Sequence, residues 1–77
     1  MMEQIISILA ELRPEFDYHT SENYIEDGML DSFDIISLVS ELEERFAIKI
    51  DGLDILPENF VSADSIAALV RKNGGTL

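Results

Sequence analysis

Apolar residues return along this chain at helical intervals in three places. Ile5, Leu9, Leu12 and Phe16 are spaced by 4, 3 and 4, the stripe that one face of an α-helix presents. Pro14 closes the first pattern, because its ring disfavours helical geometry at Arg13 and it has no N–H to donate. The first helix is therefore expected from about Glu3 to Arg13. Ile35, Leu38, Val39, Leu42 and Phe46 recur at 3, 1, 3 and 4, the clearest periodicity in the chain. Asp31 or Ser32 stands where the N-cap of that second helix belongs, and Asp34 falls in its first turn, where a carboxylate meets the positive helix end. After Ser62, a third cap candidate, Asp64 lies near the start of a helix and Ile66, Leu69 and Val70 form its buried stripe. Arg71 and Lys72 sit near its negative end and Gly74 stops it.

The stretches between are of two kinds. From Asp17 to Leu30 no helical or alternating pattern persists, although Tyr18, Tyr24, Ile25, Met29 and Leu30 can pin such a loop to a core. Irregular loops of this length in small domains are usually functional. From Ile48 to Phe60, Gly52, Asp54 and Pro57 interrupt the apolar residues, which suits a connection with one short helical turn. A strand at Ala47–Ile50 would have no partner. The expected fold is all-α: a small bundle of three main helices plus one short helix.

Length and charge narrow the picture. A chain of 77 residues buries only about 60% of its unfolded surface, so residues 1–77 are expected to form a single domain. Sixteen acidic and five basic side chains give a net charge of −11, which repels nucleic-acid phosphates and anionic lipid. Neither nucleic acid nor membrane is expected as a partner. No apolar run approaches the ~18 residues of a membrane span, and Ser7 interrupts an N-terminal apolar stretch that has no basic residues before it, unlike a signal peptide. A cytoplasmic monomer is expected. The chain has no cysteine and so neither a disulfide framework nor thiolate chemistry of its own.

Candidate chemistry is sparse until the second helix. His19 is the only histidine and reads as a loop residue in solvent; without cysteine it leaves zinc sites and proteolytic triads little to build on. Asp27, Asp31 and Asp34, like Asp51 and Asp54, lack the Asp-x-Asp-x-Asp-Gly spacing of a calcium loop. A bundle this small has little room for a substrate cleft, so no metal, no catalytic residue and no enzyme are expected. At about 100° per residue from Ser32, the core positions of the second helix span roughly 240° to 340°, whereas Ile36 lies near 40° and Phe33 near 100°. Glu43, Ser40 and Glu44 fall on the same outward arc. An exposed phenylalanine and isoleucine ringed by acids have the composition of a docking surface. The plainer alternatives are scattered surface apolar residues, or a long loop folded over Ile36. Between Arg13 and Arg45 the chain holds ten acidic residues and no lysine or arginine, which predicts one negative face.

The run Asp27-Gly28-Met29-Leu30-Asp31-Ser32-Phe33-Asp34, followed by Leu38-Val39 and Leu42-Glu43-Glu44-Arg45-Phe46, resembles the attachment region of acyl and peptidyl carrier proteins. Their pattern is Gly-x-x-Asp-Ser-Leu at a loop-to-helix junction, and the likeness extends over nearly the whole chain. It implies that 4'-phosphopantetheine from coenzyme A is attached covalently to Ser32 by a phosphopantetheinyl transferase, and that the arm's thiol carries acyl or aminoacyl groups as thioesters. Implied partners are an acyl- or aminoacyl-loading enzyme and downstream synthases or transferases, with Asp31, Phe33, Ile36, Ser40, Glu43 and Glu44 as the partner-binding face. Phe33 replaces the commoner leucine and Ser37 a frequent glutamate, which leaves the pathway open between fatty-acid or polyketide carriage and aminoacyl carriage. The Leu-Asp-Ser-Phe run is similar to D-alanyl carrier proteins. The alternative of another class is an unmodified acidic helical adaptor that binds a partner through the second helix.

Overall fold

A computed structural model describes residues 2–75. Three helices carry the fold: α1 Met2–Leu12, α2 Ser32–Phe46 and α3 Ala63–Lys72. Two 3-10 turns, Gly52–Asp54 and Pro57–Phe60, stand between α2 and α3 where one short helical turn was expected. No strand occurs among the described residues. The bundle is all-α, as the apolar spacing predicted, and the helix limits agree within one or two residues.

α1 packs against both α2 and α3. Its contribution to the core is Ile5, Ile8 and Leu9, while Leu12 and Phe16 are only partly buried. The stripe thus bends toward Ile8, which the 4, 3, 4 spacing passed over. From α2 come Ile35, Leu38, Val39 and Leu42, and from α3 Ile66, Ala67, Leu69 and Val70. Phe46, assigned to the core by its spacing, is half-buried at the last position of α2. Phe60 is fully buried at the end of the second 3-10 turn, which packs on α3. A side chain of that size contributes on the order of 1.5–3 kcal/mol through burial.

The long loop is irregular but anchored. Tyr18, Tyr24, Met29 and Leu30 are buried and Ile25 partly so. The two tyrosine rings meet edge-on with centroids 5.2 Å apart, the geometry that aromatic quadrupoles favour. The Tyr24 hydroxyl donates to the Tyr18 carbonyl at 2.8 Å, and the Tyr18 hydroxyl to the Arg13 carbonyl at 3.0 Å. A polar tip is satisfied at each point where an aromatic body enters the core, so the loop is fixed without helix or sheet. Ser62 caps α3 in a reciprocal pair with Ser65, each backbone N–H donating to the other's side chain at 3.1 Å. Gly74 follows with φ 94°, the left-handed conformation that glycine adopts freely.

Candidate functional site

The start of α2 is built from a closed pair of hydrogen bonds. Asp31 is the N-cap, with its Oδ1 accepting the Asp34 N–H at 2.9 Å while Asp34 Oδ2 accepts the Asp31 N–H at 3.1 Å. This capping box satisfies backbone donors that a helix start leaves open. The Asp34 N–H, chief among the groups around it, holds the Asp31 carboxyl below its ordinary pKa. Asp31, not Ser32, is therefore the cap. Ser32 becomes the first helical residue, with an exposed side chain at the positive end of a 15-residue helix.

The loop delivers the chain to this point through Gly28. Its φ of 72° is left-handed, and a residue with a Cβ would cost about 1–2 kcal/mol there, although nothing lies within 4 Å of the place the Cβ would occupy. The glycine is thus a backbone requirement, not a packing one. Just beyond it the Met29 N–H donates to the Tyr24 carbonyl at 2.8 Å, and Met29 and Leu30, the last two residues before the cap, are buried and fix the end of the loop.

Beside Ser32 lies an apolar notch of about 200 Å³, lined by Ser32, Ile35, Ile36, Ile55 and Pro57. Its walls come from α2 and from the segment holding the 3-10 turns. Phe33 is 81% exposed and Ile36 65%, so the wheel placed both correctly and the long loop does not cover Ile36. Leu53, 83% exposed, and Leu56 add apolar surface on the turn segment. Sequence reasoning missed both leucines, because a segment of short turns has no period that separates an inner from an outer face.

Ser40 and Glu44 are exposed, as the wheel predicts, and Asp31, the cap ahead of the helix, is exposed as well. Glu43 differs: it is half-buried, and its Oε2 accepts the Ile50 N–H at 2.9 Å. The Glu43 carbonyl accepts from the C-cap Ala47 and from Ile48 as well, so this residue fastens the chain that leaves α2. The negative face is also more broken than the acid count suggests. Arg13 binds Asp34 at 2.6 Å and Glu15 at 2.8 Å, while Arg45 binds Glu11 at 2.6 Å and Glu41 at 3.1 Å. His19 is exposed between Asp17 and Glu3, its ring nitrogens 3.3 Å from each carboxylate. A larger hollow of about 530 Å³, lined by Glu3, Gln4, Ser7, Ile8, Arg45 and Phe46, lies by the opposite end of α2 from Ser32.

No protein-family model matches the chain. It is similar to D-alanyl carrier proteins of Lactococcus lactis subsp. cremoris strains MG1363 and SK11 and of subsp. lactis strain IL1403. Each is 34% identical over 74 residues, a span covering 94% of this chain and 94% of the relative.

Proposed function

The chain belongs to the carrier protein family of the D-alanyl type, and on that premise we propose that it carries aminoacyl groups, D-alanyl first among them, on a 4'-phosphopantetheine arm attached to Ser32. The observation that carries this reading is the position of Ser32: an exposed hydroxyl on the first residue of a capped helix, where the positive helix end favours an attached phosphodiester. Residues 1–77 are read as one carrier domain.

The residues around Ser32 suit the group. The backbone N–H groups at the helix start would meet the phosphate charge, and the apolar walls of Ile35, Ile36, Ile55 and Pro57 would hold the uncharged part of the arm. When attached, the arm supplies a terminal thiol able to hold an aminoacyl group, which this cysteine-free protein lacks. The capping box fixes the backbone on both sides of Ser32, so the attachment point stays rigid while its side chain faces solvent. The protein acts as the substrate of enzymes: a phosphopantetheinyl transferase, an enzyme that loads the amino acid, and an enzyme that removes it. On this reading it works in the cytoplasm, with coenzyme A. The names of the three relatives favour aminoacyl cargo over fatty-acid or polyketide cargo.

We read Asp31, Phe33, Ile36, Ser40, Glu43 and Glu44 as the face presented to those enzymes, with Phe33 and Ile36 as apolar anchors. The test is intact mass after incubation with coenzyme A and a phosphopantetheinyl transferase. The expected result is one added arm on the wild type and none on Ser32→Ala. A wild type left unmodified under conditions that modify a known carrier protein would favour the unmodified adaptor instead. Offering either D-alanine or a fatty acid to the arm-bearing protein, each with its own activating enzyme, then separates the two kinds of cargo.

A further inference from the structure

Arg13 ties the end of α1 to the turn that holds Ser32. It follows the last residue of α1, and its N–H donates to the Leu9 carbonyl at 2.9 Å, so its backbone continues the helix. Its guanidinium lies 5.3 Å from the centre of the Phe16 ring. Nε donates to Glu15 Oε2 at 2.8 Å and Nη1 to Asp34 Oδ2 at 2.6 Å. That same Asp34 oxygen accepts the Asp31 N–H and closes the capping box. The Asp34 side chain is only 16% exposed, so this ion pair spans 21 residues in a partly desolvated setting. Tyr18 donates to the Arg13 carbonyl, which holds the residue from its other end.

The charge balance at this turn changes when Ser32 is modified. Two carboxylates, Asp31 and Asp34, flank Ser32 within one turn, and an attached phosphodiester adds a third anionic group to a protein already at −11. A cation reaches this turn through Asp34, which pairs with Arg13. Resting on the reading that Ser32 bears the arm, we infer that Arg13 is a positioning residue that acts electrostatically, neutralising Asp34 and keeping the capping box closed once the phosphodiester is in place. Bare Coulomb repulsion within one turn would otherwise loosen the helix start where partner enzymes meet it.

The melting temperature of both forms of each variant tests this, with the modification established beforehand by intact mass. If no arm is added to the wild type, the attachment reading has failed and not this one. In Arg13→Gln both forms lose stability, since the strut is gone in both, but the modified form should lose on the order of 4 °C more. That excess should fade in high salt, and Arg13→Lys should restore most of it. Equal losses in the two forms would overturn the inference and leave Arg13 as a strut only. Asp34→Asn probes the same balance from the other side. It keeps an acceptor for the Asp31 N–H and removes the charge, so attachment of the arm should lower the melting temperature less than in the wild type. An unchanged difference would also overturn the inference, and this arm of the experiment holds even if Arg13→Gln fails to fold.

Discussion

At the residue scale, adjacent side chains at the start of α2 have separate duties. Asp31 holds the helix and Ser32 offers the hydroxyl. Ser32→Ala should abolish modification yet change stability by less than about 0.5 kcal/mol, because an exposed first-turn residue has little packing to lose. Asp31→Ala removes the cap and should lower the melting temperature on the order of 5 °C; thermal denaturation of the two variants side by side checks the division. Tyr18 supplies a second residue-scale test. Burial pushes its hydroxyl up to about 12 from the ordinary value near 10. A raised folded value means the stabilisation is complete below the unfolded value and is lost as pH rises from about 10 toward 12. Urea midpoints measured across that range should fall steeply for the wild type and less steeply for Tyr18→Phe. Phenolate absorbance should appear together with unfolding and not before it.

At the scale of elements, α2 is sound along its length and strained at its exit. Ala47, the C-cap, has φ 53°, a left-handed conformation that costs a residue with a Cβ about 1 kcal/mol or more. Ala47→Gly should therefore stabilise the protein by roughly 0.5–1 kcal/mol, readable as a higher urea midpoint. The outward face of α2 should separate kinetically. Glu44→Lys is expected to slow association with the loading enzyme and weaken its salt dependence, because rim charges act mainly on encounter. Phe33→Ala should instead speed dissociation, on the order of 1–3 kcal/mol if the ring is buried in the complex. Stopped-flow binding separates the two, and unchanged rates in both would move the docking face off this helix. Glu43 is unsuited to that comparison, since its bond to the Ile50 N–H makes its loss a folding defect as well.

At the scale of the whole molecule, charge and core oppose each other. A net −11 on 77 residues raises the energy of the compact state, and added salt should raise the melting temperature by screening it; a flat or falling value between low and physiological ionic strength would show that repulsion does not limit stability. The sequence by itself determined the helices, because helical burial imprints a period of 3.6 and α2 carries it from Ile35 to Leu42. It made the helix start at Asp31-Ser32 legible, since the cap candidates, the glycine before them and the apolar stripe after them are all local in the chain; Ser32 itself stands out only through the resemblance to carrier proteins. Other features were decided only by tertiary structure. The partner of Asp34 is 21 residues away, Glu43 turned inward to an amide seven residues on, and Ile55 and Pro57 came to stand beside Ser32. Leu53 was left outside while Phe60 was buried. None of these has a period or spacing to read, because each depends on how separate segments are packed, and packing is set by the shape of the whole core and not by any single stretch of it.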